Sequence, residues 1–152
     1  MTDLLGNPAA FTPSGDAAVT RCQRQLTKRA TRVFEAFGGV ASQAKARKLR
    51  GRGTDPAGSD EALTIYIENA LFESAALARS SERLRRTVEG TCAAVDLPSH
   101  FPGCAGALSG VGVCADRSAR CRACIVFRLA DPLLMIDCDR LDDGNANLTC
   151  QP

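Results

Sequence analysis

Tryptophan is absent from this chain, tyrosine and histidine occur once each, and aromatic residues make up only 5% of it. A core built from what remains, chiefly Ala, Leu, Val and Ile, is thin. The single histidine, His100, lies in a Pro-containing loop, so no Ser–His or Cys–His pair is in view and the chain does not read as an enzyme. No apolar run approaches the roughly 20 residues of a membrane-spanning helix. The opening MTDLLGNPAAFTPSGD shows no basic n-region, no long apolar stretch and no small-residue cleavage site, so no export signal is legible there. Neither an internal repeat nor a run of strand-like alternation occurs, and no small-molecule substrate is suggested.

What is abundant is cysteine, with 8 in 152 residues. An even, high count in one small domain with a thin core points to a disulfide framework and an oxidising compartment. The expected location is therefore extracellular, periplasmic or at the cell surface. The net charge of +2 covers a split of about +7 over residues 1–54 and about −5 over residues 55–152. Opposite halves of one domain attract each other, so the split does not by itself call for a polyanion.

Helical spacing begins at Asp16. Val19, Cys22, Leu26, Ala30, Val33, Phe37, Val40 and Ala44 form one apolar stripe, with Arg21, Arg24, Lys28, Arg29 and Arg32 around it. Gly38-Gly39 is a place where the helix is expected to kink or divide. The helix should stop near Leu49, ahead of the turn-rich GRGTDPAGS. Ser59 or Asp60 caps a second helix, whose stripe is Leu63, Ile67, Ala70, Ser74, Leu77, Ser81, Leu84 and Val88. Gly90 stops it. The two helices make a long antiparallel hairpin. Residues 93–117 hold Pro98, Pro102, Gly103, Gly106, Gly110 and Gly112, and read as irregular. Beyond them, Ser118 caps a helix over 119–129, and Asp131-Pro132 starts another that Gly144 ends.

The fold class is thus all-α: a long antiparallel helical hairpin plus a short disulfide-stapled C-terminal α-hairpin. The divisions are an N-terminal arm at 1–15, the long hairpin at 16–92, the irregular segment at 93–117, and the Cys-rich hairpin and tail at 118–152.

Eight cysteines allow 105 pairings, which hairpin geometry ranks. Around a turn near Ala130, Cys124 lies across from about residue 137, favouring Cys124–Cys138. Cys121, one turn further back, would meet the returning tail at Cys150. In the long hairpin Cys92 is the only cysteine near the position opposite Cys22. Cys104–Cys114 is left to close the Gly-rich segment.

The order CRAC, then ADPL, then DCDRLDDGNANLTC resembles the C-terminal unit of cysteine-rich helical repeat proteins predicted to be exported in environmental Gram-negative bacteria. The helix beginning AVTRCQRQLTKRA is similar to their N-terminal part. The resemblance implies export and disulfides; it brings no activity, cofactor or catalytic residue.

Three stretches are candidates for chemistry. Cys121-Arg122-Ala123-Cys124 is a CxxC near a helix start beside arginines, which lowers a thiol pKa. It lacks the βαβ setting of a thioredoxin-like enzyme and the second ligand pair of a zinc site, so it reads as structural. Asp139, Asp143, Asn145 and Asn147 match part of a calcium loop around Gly144, but Leu141 and Cys150 replace two ligands, including the bidentate one. A helix stop with side-chain turns explains the same residues. Lys45, Arg47, Lys48, Arg50 and Arg52 form a basic helix end that could meet a polyanion. No aromatic residue is interleaved for base stacking, which disfavours nucleic acid, and basic residues suit a helix C-terminus in any case. Asn147-Leu148-Thr149 fits a glycosylation sequon, meaningful only in a glycosylating pathway.

The expected function is a non-catalytic structural or protein-interaction module at or outside the cell envelope. It would bind a protein partner or self-associate along the long hairpin, whose apolar stripe two helices leave partly open. Calcium-dependent binding through the Asp-rich tail is the first alternative. Polyanion binding through 43–52 is the second.

Overall fold

The computed structural model describes residues 15–51, 59–96, 110–131, 134–143 and 150, among which there are five helices and no strand. Helix α1 spans Ala17–Leu49. Asp16 caps it, its Oδ1 accepting the Ala18 N–H at 2.7 Å. Its buried residues follow the expected stripe from Val19 to Phe37; beyond that, Ala41 takes the inward place and Val40 is half-buried. The helix runs unbroken through Gly38-Gly39. Tertiary packing on both sides of the glycines outweighs their weak propensity. Arg47 and Lys48 occupy the last turn, and Gly51 follows at φ +65°, the left-handed conformation that glycine adopts freely.

The returning arm is two helices, not one. Helix α2 covers Asp60–Phe72 and α3 covers Ala75–Thr91. Ser59 caps α2, accepting the Ala62 N–H at 3.1 Å, with Asp60 and Glu61 in its first turn. Ser74, expected on the inward stripe of a continuous helix, instead caps α3 and accepts the Leu77 N–H at 3.2 Å. A serine hydroxyl competes for backbone donors, and here it wins. The break resets the phase: α2 buries Leu63, Thr64, Ile67 and Leu71, then α3 buries Leu77, Ser81, Leu84 and Val88.

Helix α4 spans Val111–Ala130, so the irregular segment expected over 93–117 is helical from 111 onward. Ser118 lies inside this helix and does not cap it. Gly110 starts it at φ +82° without a side-chain cap. Gly112, which reads as a helix breaker, serves close packing. A Cβ there would sit 3.4 Å from the Arg85 Cα and from Val88. Ala115, Ala119 and Ala123 continue the same narrow face, all buried. Small side chains let α4 lie against both α1 and α3.

The result is an up-down-up bundle of α1, α2–α3 and α4. The start of α4 meets the end of α3 at Gly112, and its far end meets the end of α1 through a Lys45–Asp131 ion pair. This arrangement changes one expectation. The apolar stripe thought to be left for self-association is covered by α4.

Asp131 is the C-cap of α4 and does not cap a second long helix. The chain returns with Leu134 and Ile136 buried and Met135 and Asp137 exposed, an alternation of inward and outward side chains. It ends in a short helix α5, Cys138–Asp143. Asp137 Oδ1 accepts the N–H groups of Asp139 and Arg140 at 3.2 and 3.3 Å, and the Asp137 N–H donates to Glu68 of α2 at 3.0 Å. Six residues do not sustain a helix alone, so these contacts and the bridges below hold α5. No helix among the described residues is long and apolar enough to cross a membrane.

The break at Ser74 is testable by urea unfolding with disulfides intact. Ser74→Ala should cost about 1 kcal/mol, the usual worth of an N-cap. Ser118→Ala should change stability by less than about 0.5 kcal/mol. The reverse order would mean that α2 and α3 behave as one helix and that α4 starts at Ser118.

Candidate functional site

The thin core decides where the covalent chemistry sits. Its largest fully buried side chains are Phe37, Leu26, Ile67, Leu84, Leu134 and Ile136, set among many buried alanines. Cys22 and Cys92, both fully buried, are joined at a Cα–Cα distance of 5.0 Å and lock the open end of the hairpin. Cys124 is bonded to Cys138 and Cys121 to Cys150, at 5.5 and 5.4 Å. These are the pairings that hairpin geometry favours. The last two survive the revised shape of the C-terminal unit because the return of the chain alongside α4, more than the helicity of the returning arm, brings the sulfurs together. Cys114 is disulfide-bonded as well; Cys104, its expected partner, lies outside the described residues.

The CxxC is therefore not a dithiol pair. Cys121 and Cys124 point to different partners, and neither thiol is left for exchange chemistry. The Asp-rich tail is used structurally where it is described. Asp139 is buried, and its Oδ1 accepts the Cys150 N–H at 3.0 Å, holding the tail beside α5. The side chains of Asp143, Asn145 and Asn147 lie outside the described residues, as do the sequon and His100. Among the described residues no group of three or more His, Cys, Asp or Glu side chains is arranged to hold a metal ion.

The basic end of α1 does not act as one surface. Lys45 is half-buried and paired with Asp131 of α4. Lys48 lies over the Tyr66 ring of α2, 5.5 Å from its centroid. Only Arg47 and Arg50 of the described set are exposed beside a shallow depression with Gln43 and Ala46; Arg52 lies outside the described residues. Among the described ion pairs, Lys45–Asp131 is the one that joins the basic first half of the sequence to the acidic second half.

One polar cluster has no counterpart in the sequence reading. Asp116 of α4 is 2% exposed on a face of small residues. It accepts from Arg85 of α3 at 3.2 Å and from Arg120, one turn on, at 3.5 Å. Arg120 also donates to the buried Ser81 of α3 at 2.8 Å. The seam satisfies a buried carboxylate with two guanidiniums and keys α3 to α4 in one register, since a sliding helix would strand the charge. The i, i+4 spacing of Asp116 and Arg120 was visible beforehand. That α4 begins early enough to bury Asp116 was not.

Compared with known proteins, the chain matches no family model, no curated protein and no solved structure.

The bridges should differ in worth by the length of loop they close. Sequence separations of 70 and 14 correspond to about 4 and about 3 kcal/mol in the chain-entropy account. Urea unfolding of the paired variants Cys22→Ala/Cys92→Ala and Cys124→Ala/Cys138→Ala should show the larger loss for the first. Equal or inverted losses would show that local strain or residual structure, not loop closure, sets their contribution.

Proposed function

We propose that this protein is a non-catalytic, disulfide-stabilised interaction module that works at or outside the cell envelope. The observation that carries the reading is the set of three described bridges, which tie both ends of an Ala-rich bundle. Such bonds form and persist in oxidising compartments and are rare where thiols are kept reduced. Together they contribute on the order of 10 kcal/mol, as much as the whole net stability of a typical domain. A bundle with this core depends on its surroundings staying oxidising.

The non-catalytic part of the proposal is supported by the fate of the most reactive motif: both thiols of the CxxC are spent on separate structural bridges. The buried Asp116 is likewise taken up by Arg85 and Arg120. With α4 lying on the hairpin's apolar face, self-association along that face has no surface to use. Partner contacts fall to the outer surfaces of the bundle.

Intact mass with and without reductant, on protein recovered from its native host, tests the proposal. The oxidised chain should be lighter than the reduced chain by eight hydrogens, and peptide mapping should link Cys22 to Cys92 and Cys124 to Cys138. Eight free thiols in protein from the host would remove the oxidised scaffold and with it the extracytoplasmic reading.

A further inference from the structure

A second basic stretch of α1 lies away from its C-terminal end. Arg21, Arg24, Lys28 and Arg32 recur at steps of three and four on the outer face of α1, all exposed. At 1.5 Å per residue they make a ridge about 16 Å long. Arg21, Arg24 and Lys28 line one depression on this ridge, and no acidic side chain shares it. Beside the ridge, α1 and α3 form an open groove lined by Arg29, Arg32 and Arg83 with Glu35 and Ser80. Glu35 engages Arg32 at 2.7 Å. Arg21, Arg24, Lys28, Arg29 and Arg83 form no ion pair among the described residues. Arg29 is half-buried, and its Nε–H is enclosed without a hydrogen-bond partner.

A face of this kind carries a positive potential that attracts anions. Its make-up selects the anion. Among the described residues the large exposed apolar side chains are Leu49, Ile65, Phe72, Val126, Leu129 and Met135, and none lies on the 21–36 or 79–86 stretches that build the ridge and groove. No exposed apolar side chain on these stretches can enter a lipid surface, and no exposed aromatic ring lies on them to stack a base. What remains is regularly spaced cations, most of them guanidiniums, whose planar forks pair with sulfate or phosphate oxygens. We infer that the ridge and groove of α1 and α3 bind a linear anionic polysaccharide bearing sulfate or phosphate groups, its repeating charges lying along the helix axis.

The inference rests on the interaction-module reading, since it names the chemistry of the partner. The test uses the full chain with disulfides verified by mass. Titration calorimetry with a size-defined heparin oligosaccharide should detect binding whose affinity falls as a power of salt concentration. Four to six contacts give a slope of about −3 to −4, a loss of roughly 60- to 250-fold between 50 and 200 mM salt. Arg24→Glu/Lys28→Glu/Arg83→Glu, all at exposed positions, should flatten the slope by about 2 and abolish binding at physiological salt. Arg47→Glu/Arg50→Glu, which changes net charge elsewhere, should retain most of it.

Equal loss in both variants would reduce the effect to net charge and overturn the assigned site. So would unchanged binding in the triple variant. Tighter binding to a single-stranded oligonucleotide, or to phosphatidylglycerol vesicles, than to heparin would overturn the polysaccharide. An oxidised, folded protein that binds no heparin would sink this inference and leave the module reading standing; a protein isolated reduced would sink that reading first.

Discussion

The Cys22–Cys92 bridge is the constraint from which the rest of the bundle can be followed. It joins the first turns of α1 to the end of α3, fully buried at both sulfurs. It sets the depth at which α1 and α3 face each other, and thereby the groove into which α4 descends. Gly112, two residues into α4, meets Arg85 and Val88 just before the bridge. From there Ala115, Ala119 and Ala123 keep α4 close to its neighbours. Close approach of this kind gains dispersion contacts but little buried area per residue. Small residues make the bundle tight, and covalent bonds make it stable.

The C-terminal unit repeats the principle at smaller scale. A six-residue helix and the four-residue run before it have little intrinsic stability. Leu134 and Ile136 anchor the run in the core, Asp137 caps the helix, and Asp139 ties the Cys150 N–H. Two bridges from one turn of α4 close the unit. A motif that resembles a redox centre in sequence is thus a pair of anchor points, because the two thiols, one helical turn apart, bond to different points of the returning chain, Cys150 and Cys138.

Charge is sorted by the same geometry. Lys45 and Lys48 are drawn into contacts with Asp131 and Tyr66, and Arg85 and Arg120 serve the buried Asp116. The cations left outward include those on the early turns of α1 and the facing turns of α3. Basic residues of similar appearance in the sequence therefore divide into fastening and surface groups, and the proposed partner chemistry follows from the second group.

The sequence by itself determined the elements whose signals are local. The all-α class, the stripe from Val19 to Phe37, the Asp16 and Ser59 ends and the three described cysteine pairings follow from periods of 3.6 and from hairpin symmetry. The tertiary structure alone decided what depends on a neighbour. Whether Ser74 faces inward or caps, whether Gly112 breaks a helix or admits one, and whether Lys45 is free or paired each turn on what packs alongside. Glycine and serine carry two opposite local meanings, and a long cation reaches several partners. In each case only the energy of the assembled contact selects between them.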